Sequence, residues 1–341
     1  MTPSPPAKTS KELLDDAKAL MEKGDWKNAI ELLQAIISQF SKDYPSRFNV
    51  AWAFFHRAQC RVHMADLGAA QTDCQSAVAQ ARDLQDLSIE GQALRLLGNI
   101  SWKVSDYKKA FEYLKQAHEI AKKTNDLRLE GMVHLELGTT YSNTSELGTA
   151  DHEYRDAILA LEKVGDMREL ARAYNNFANN FVFAKKFDKA AEMFAKTKKI
   201  AERVGDMPLA AWGAFNRAEC LVELGASKEA LLELDWALPI LEKAGDNYGT
   251  LGALQIYGLA YAKNEDWAKA EEFLLKARSM AQKNKMPVSE AKVLRDLGRI
   301  YKWKGDKAKA LQYFTEAKDI FAAKGSKREL ARVEAELKDL L

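Results

Sequence analysis

The sequence predicts an all-α solenoid, a stack of helical hairpins that repeats every 40 residues. The first observation is a periodic alanine, found at Ala70, Ala110, Ala150, Ala190, Ala230, Ala270 and Ala310. A second small residue stands twelve positions before each alanine, as Ala58 and Gly98 do. Small residues at fixed spacing mark places where two helices pack closely, and a period of this length is typical of solenoids.

Each period contains two stretches with apolar residues at three- and four-residue steps, which predicts two amphipathic helices. In the fifth period these helices are expected at 168–184 and 187–204. The links are short, so consecutive helices must run antiparallel. The pairs Gly165-Asp166 and Gly205-Asp206 stand between successive repeats. Glycine can end one helix in the left-handed conformation, and aspartate can cap the next.

The pattern predicts a single solenoid over residues 9–341, preceded by a disordered tail at 1–8. After the last repeat, one amphipathic helix at 326–341 has no partner in sequence and is expected to cap the apolar end of the stack. The eight predicted hairpin repeats are 9–44, 48–86, 87–126, 127–166, 167–206, 207–246, 247–286 and 287–325.

Composition restricts the functional classes. Lys and Arg total 51 against 49 Asp and Glu, so a broad basic surface for nucleic acid is not expected. No apolar run is long enough to span a bilayer, and residues 1–8 lack the apolar core of a secretory signal. Three cysteines without framework spacing suit a reducing compartment. We therefore predict a cytoplasmic protein without membrane insertion.

The repeat resembles the tetratricopeptide repeat. The residues that carry the resemblance in the third repeat are Leu97, Gly98, Tyr107, Ala110, Leu114 and Ala117. The usual repeat has about 34 residues, and the longer version here is similar to the repeats of kinesin light chain, the mitotic adaptor LGN and the Rap-type peptide sensors. The resemblance implies a right-handed superhelix of about eight hairpins, in which the first helix of each hairpin lines a concave groove that holds peptides.

Helical geometry then predicts which side chains face the groove. Tryptophan and tyrosine are common interface anchors, and an asparagine amide can bond a peptide unit of any sequence. The run Tyr174-Asn175-Asn176-Phe177-Ala178 resembles a kinesin-light-chain segment, so Asn175, Asn176 and Asn179 are the principal expected contacts. The full predicted set is Trp52, Phe55, His56, Gln59, Arg95, Asn99, Trp102, Asn175, Asn176, Asn179, Phe183, Trp212, Phe215, Asn216, Arg295, Arg299 and Trp303.

The predicted function is a module that binds a peptide or protein segment. Two alternatives stay open: a Rap-like regulatory sensor that changes curvature on binding a small signalling peptide, and a scaffold that self-associates through the ends of the stack. The asparagines could also be solvated or bond neighbouring helices. The basic side chains Lys292, Arg295, Arg299 and Lys302 predict either an acidic partner segment or a solvated helix face.

No glycine-rich phosphate loop, nucleophile elbow or metalloprotease helix is present, so the sequence predicts no enzyme and no cofactor. His56, Cys60 and His63 share one helix face, which could hold a metal ion. However, Cys60 has a counterpart in Cys220 four periods on, which favours a small apolar core position. No metal site is therefore predicted.

Two arginines occupy a position that is usually leucine in this pattern. Arg57 and Arg217 stand opposite Asp73 and Glu233 on the second helix of their hairpins. A charge this close to a helix–helix seam needs a partner. The sequence predicts an ion pair within each of these two repeats.

Overall fold

The computed structural model describes residues 8–40 and 43–340, and this part of the chain is helical, without a strand. A short 3-10 turn, Tyr44–Ser46, follows the second helix. The seventeen α-helices of the described residues are α1 (Ser10–Glu22), α2 (Trp26–Phe40), α3 (Arg47–His63), α4 (Leu67–Leu84), α5 (Leu87–Lys103), α6 (Tyr107–Thr124), α7 (Leu127–Asn143), α8 (Leu147–Val164), α9 (Met167–Phe183), α10 (Phe187–Arg203), α11 (Met207–Glu223), α12 (Ser227–Lys243), α13 (Asn247–Lys263), α14 (Trp267–Lys283), α15 (Pro287–Lys304), α16 (Lys307–Ala323) and α17 (Lys327–Leu340).

The links between helices share one backbone conformation. From position 65 to position 325 a residue with positive φ recurs every 20 residues, both inside hairpins and between them. Some of these are glycines, such as Gly305 at φ 86°, but Gln85, Asn125 and Lys285 adopt the same region. The left-handed residue ends one helix and turns the chain into the next. The turns between helices therefore recur every 20 residues, which is half of the 40-residue spacing of the core alanines.

An aspartate follows the left-handed residue in most links and caps the next helix. Asp86 accepts a hydrogen bond from the backbone N–H of Ile89 at 2.9 Å, and Asp126 does the same for Leu129. Such caps satisfy N–H groups that have no partner inside the helix. At the first helix, Thr9 and Glu12 form a reciprocal capping box.

The periodic small residues lie where the two helices of a hairpin touch. A Cβ atom added to Gly298 would lie 2.6 Å from the Phe314 ring, and one added to Gly98 would lie 2.6 Å from Leu114. Both distances are shorter than real side-chain contacts, so a larger residue would push the helices apart. Ala110 and Ala310 are fully buried at the same seams. The close packing predicted from the 40-residue spacing is confirmed.

The chain divides into two compact units, Met1–Glu169 and Leu170–Leu341. Each has its own apolar clusters. In the first compact unit Leu97 and Leu114 belong to one buried cluster, and in the second compact unit Leu274 and Phe314 belong to another. The helix α17 joins the latter cluster through the buried side chain of Val333.

Both predicted ion pairs form. Arg57 donates to both carboxylate oxygens of Asp73, at 2.8 and 2.5 Å, and Arg61 adds a third bond at 2.8 Å. Arg217 pairs with Glu233, which Lys198 also contacts at 2.9 Å. Because these carboxylates lie on the second helix, each pair ties the two helices of one hairpin together.

The all-α solenoid class predicted from the sequence is confirmed, and the helices of the fifth repeat agree with the prediction to within one residue. The proposed tail at 1–8 lies outside the described residues except for Lys8, as does Leu341 at the end of the predicted cap. The organisation of 9–341 as one solenoid with the stated repeat boundaries stays a prediction.

Candidate functional site

A cavity of about 330 Å³ opens on one face of the second compact unit. Its walls come from α11, α13, α15 and α17, the first helices of successive hairpins and the terminal helix. We call this surface the inner face. The helices that complete the hairpins, α12, α14 and α16, contribute none of its lining residues. First helices line the inner face, as the resemblance to tetratricopeptide repeats implies for a groove.

One end of the cavity is aromatic. Trp212 stacks on Tyr248 with ring centroids 6.0 Å apart, and it meets Phe215 edge-on at 5.4 Å. Trp212 Nε1 donates to Asp246 Oδ2 at 2.7 Å, so the indole is held by a hydrogen bond while its ring borders the cavity. Phe215 is buried, whereas 53% of Tyr248 is exposed. This end offers a fixed apolar surface with a hydroxyl at its edge.

The middle of the cavity carries amides and carboxylates. Gln255 Nε2 donates to the buried Asp296 at 3.0 Å, and Asn216 lines the same wall. Glu219 also lines the cavity and is exposed. Partial desolvation among the cavity walls raises the pKa of Glu219, and the negative charges of Asp296 and Glu223 add to this shift. The middle of the inner face therefore disfavours further negative charge.

The far end is cationic, and the terminal helix neutralises it. Arg295 donates to Glu329 at 2.5 Å, and Arg299 donates to Glu336 at 2.8 Å. Burial alone would raise the pKa of Glu336, but the bonds and charges of Arg299 and Lys302 outweigh it, so the pKa is lowered. The sequence predicted that these basic residues meet an acidic partner or solvent. The carboxylates they meet belong to α17 of the same chain.

A second cavity, of about 260 Å³, adjoins the cationic end and is bordered by Trp303. The indole is 44% exposed, and Lys263 Nζ lies 4.8 Å from its ring centroid. A cation over an aromatic face is attracted by the ring quadrupole. The exposed aromatic residue predicted here is therefore present, with a lysine already beside it.

In the first compact unit the predicted aromatic residues of α3 are packed against each other. Phe55 is buried, and Trp52 meets it edge-on at 5.6 Å while stacking on His56 at 5.4 Å. His56 Nδ1 donates to Gln59 Oε1 at 2.8 Å, since an amide oxygen only accepts. Burial lowers the pKa of His56 to about 4, so the ring is neutral.

The predicted polar contacts of α5 converge on one carboxylate of α7. Glu136 accepts hydrogen bonds from Asn99 at 2.7 Å and from Trp102 Nε1 and Arg95 at 3.3 Å each. Three predicted ligand-binding side chains are thus brought together, but around a residue of the chain itself. A ligand on this face would have to compete with Glu136 for the same donors.

The asparagines of α9 bond within their own helix. Asn179 donates to the backbone oxygen of Asn175 at 3.0 Å, and Asn175 donates to Asn176 at 3.3 Å. Asn175 Oδ1 is buried without a hydrogen-bond partner in the described part of the chain. Phe183, one turn beyond, is 49% exposed. The role of these residues as ligand contacts stays a prediction.

Sequence reasoning missed Tyr248 and the acidic residues of α17. Tyr248 lies in the first turn of α13, beyond the positions counted back from the periodic alanine. Glu329 and Glu336 are seven residues apart on an amphipathic helix, a spacing that places them on one face. This spacing could have predicted an acidic face on the terminal helix.

The metal set considered from the sequence does not assemble. Cys60 is fully buried, and His63 stacks on Trp26 with centroids 4.1 Å apart. Cys60, Cys74 and Cys220 are free and buried, as the core interpretation of Cys60 and Cys220 predicts. In the part of the chain that the structure describes, no helix is long and apolar enough to cross a membrane.

The tetratricopeptide repeat family model matches residues 169–243 and 250–323. No curated protein shows significant similarity to the chain. Among solved structures, a Rap protein complexed with competence and sporulation factor superposes with a TM-score of 0.62 at 15% identity, over 97% of this chain and 98% of that one. The apo quorum sensor NprR from B. thuringiensis gives 0.59 at 12% identity, over 97% and 98%.

A signal-transduction ATPase with numerous domains (STAND) from Pyrococcus horikoshii, which has a tetratricopeptide repeat sensor, gives a TM-score of 0.69 at 17% identity. The match covers 98% of this chain and 52% of that one. At such identities the superpositions show the fold alone. The family model thus identifies tetratricopeptide repeats at 169–243 and 250–323, and the superpositions show the same all-α repeat fold.

Proposed function

We propose that the chain binds a peptide or protein segment on the inner face of the second compact unit. The observation that carries this proposal is the cavity that runs from an aromatic end at Trp212 and Tyr248 to a charged end at Arg295 and Arg299. Concave sites with apolar walls and a few convergent polar groups are where ligands usually bind. The proposed role is binding and not catalysis, in a cytoplasmic setting.

The chemistry of the cavity defines the segment that would fit. An aromatic or branched apolar side chain would pack beside Trp212 and Tyr248, which are 6.0 Å apart. Asn216 and Gln255, in the middle, offer amides to the backbone of the segment. A carboxylate would be favoured near Lys292 and Arg332, and repelled at Glu219. We therefore expect a segment with an apolar anchor followed by polar residues and an acidic end.

A second candidate function is a sensor, in which binding changes the curvature of the solenoid. The ion pairs between α15 and α17 favour it, because an acidic ligand would compete with Glu329 and Glu336 for Arg295 and Arg299. Exchange of one carboxylate for another could release α17 at little net change in charge. Small-angle scattering with and without ligand separates the two, since a sensor changes its radius of gyration.

The test is selection of peptides from a random displayed library against the full chain, followed by affinity measurements on variants. We expect Trp212→Ala and Tyr248→Ala each to weaken binding by about 10-fold or more. Leu232→Ala is the matched control, because Leu232 lies on α12 and is 70% exposed.

Three outcomes separate the alternatives. Loss of affinity in the Asn175→Ala, Asn176→Ala, Asn179→Ala triple variant, with Trp212→Ala unaffected, would move the site to α9. Equal losses in Leu232→Ala and Trp212→Ala would contradict an inner-face site. A library that yields no sequence above background would contradict peptide binding altogether.

A further inference from the structure

Three side chains of metal-binding type meet in the first compact unit, away from the inner face described above. His118 lies on α6, and Glu130 and His134 lie one turn apart on α7. One ligand atom of each lies within 4.8 Å of the other two. His118 Nε2 is 3.8 Å from Glu130 Oε1, and the two imidazole rings meet edge to face with centroids 4.8 Å apart.

A fourth residue fixes the tautomer of His134. Glu153, on α8, lies 2.7 Å from His134 Nδ1. A carboxylate only accepts hydrogen bonds, so Nδ1 carries the proton and donates it. Nε2 is then the ring nitrogen that remains available to a metal ion. A carboxylate that holds a histidine in this way is the usual outer-shell partner of a metal-bound imidazole.

His118 is also prepared to act as a ligand. Its Nε2 is buried and has no hydrogen-bond partner in the described part of the chain. An unbonded imidazole nitrogen inside a protein carries a desolvation cost. A bound cation would remove that cost.

We propose that His118, Glu130 and His134 bind a divalent transition-metal ion of the Zn²⁺ class, with Glu153 as the positioning residue. Two imidazoles and one carboxylate are a known zinc ligand set, whereas Mg²⁺ and Ca²⁺ prefer oxygen ligands alone. Zinc–nitrogen bonds of about 2.0–2.1 Å place tetrahedral ligands about 3.4 Å apart. The ligand atoms here lie up to 4.8 Å apart, so metal binding must bring them about 1.4 Å closer. A rotation about a side-chain bond moves an atom by about this distance.

The position of the site allows the ion to link two hairpins. The ligands come from α6, which ends the third hairpin, and from α7, which begins the fourth, so the metal joins two successive repeats. The side chains of His118, Glu130 and His134 are 19%, 26% and 13% exposed, which leaves a route for the ion from solvent. Binding only to the folded chain stabilises it, so Zn²⁺ raises the melting temperature.

The test is calorimetric titration of ZnCl₂ into the metal-stripped full chain carrying no polyhistidine tag. We expect one Zn²⁺ per chain, and Co²⁺ in its place should show the visible absorption of a tetrahedral site. His134→Ala and His118→Ala should remove this binding. Glu153→Gln should weaken it by about 10- to 100-fold, and because it keeps all three ligands it also serves if an alanine variant does not fold.

His152→Ala is the matched control, because His152 is an exposed histidine on α8 and should leave the titration unchanged. Wild-type chain that binds no equivalent of Zn²⁺ would overturn the proposal. So would a His152→Ala variant that loses as much affinity as His134→Ala, since zinc would then be bound elsewhere. Full Zn²⁺ affinity in Glu153→Gln would overturn the positioning role.

Discussion

The second and sixth repeats begin with nearly the same sequence but use it differently. In both, a tryptophan, a phenylalanine, an arginine and a cysteine recur at the same spacing, from Trp52 to Cys60 and from Trp212 to Cys220. In the second repeat His56 fills the gap beside Trp52. In the sixth, Asn216 stands at that position and a cavity opens beside it. The residue beside the tryptophan, His56 or Asn216, is thus one of the differences between a packed arrangement and one that borders a cavity.

The ion pair of the second repeat is also more buried than the ion pair of the sixth. The side chains of Arg57 and Asp73 are 8% and 2% exposed, and those of Arg217 and Glu233 are 28% and 12% exposed. Charges away from water interact strongly but are expensive to leave unpaired. Removal of one partner should therefore cost more stability in the second repeat than in the sixth.

The largest effect is expected from Asp73→Ala. It leaves Arg57 buried without its carboxylate and should lower the free energy of unfolding by about 3–5 kcal/mol. Glu233→Ala should lower it by only about 1–2 kcal/mol, because Arg217 keeps contact with water. Urea and thermal unfolding followed by circular dichroism measure both.

A double variant, Arg57→Leu with Asp73→Leu, is the control for the buried pair. It removes both charges and should recover much of the stability lost in Asp73→Ala. An unchanged melting temperature in Asp73→Ala would contradict the pairing. Equal losses in Asp73→Ala and Glu233→Ala would contradict the difference between the repeats.

His56→Asn, which installs the residue of the sixth repeat, should change the acid sensitivity. The unfolded chain protonates His56 near its ordinary pKa of 6.5, whereas the folded chain resists protonation until about 4. The wild type should therefore lose stability as pH falls from 6.5 to 4, by at most about 3 kcal/mol. The difference between wild type and His56→Asn across this range isolates the effect. Parallel pH profiles would show that His56 is not responsible.

Replacement of the two tryptophans should affect ligand binding unequally. Trp212→Ala removes an aromatic wall of the cavity. It should weaken the binding of a selected peptide by about 2 kcal/mol, which is about 30-fold in affinity. Trp52→Ala should cost less than about 1 kcal/mol of affinity, since its ring packs on Phe55 and His56. Fluorescence anisotropy with a labelled peptide gives both values. A larger loss for Trp52→Ala would place the ligand on the first compact unit.

The smallest effect is expected from Glu219→Gln. The folded-state pKa of Glu219 is raised above its ordinary 4.5, so its contribution to stability is present below 4.5 and is lost as pH rises through the raised value. Glu219→Gln should remove this decline and leave a slightly more stable chain at neutral pH. Asn216→Gln, at a neighbouring uncharged position, controls for the change in side chain. A less stable Glu219→Gln variant at neutral pH would contradict the raised pKa.

The sequence predicts those features that depend on local, repeated spacing. The helix seams at Gly98 and Gly298 and the pairing of Arg57 with Asp73 follow from positions inside one hairpin. The stacking of Tyr248 on Trp212 and the contact of α17 with α15 depend on how successive hairpins pack, which no single period encodes. Glu130 and His134 stand four residues apart in the sequence. Their contact with His118 was not predicted, because it also depends on how successive hairpins pack.

The central claim is that a ligand lies on the inner face of the second compact unit. Site-specific photo-crosslinking tests it most directly, with a photoreactive residue placed at Tyr248 on the inner face or at Leu232 on α12, in the presence of a selected peptide. The account predicts that the Tyr248 position captures the peptide, that the Leu232 position does not, and that unlabelled peptide abolishes the product. Capture at Leu232 alone, or equally at both positions, would contradict it.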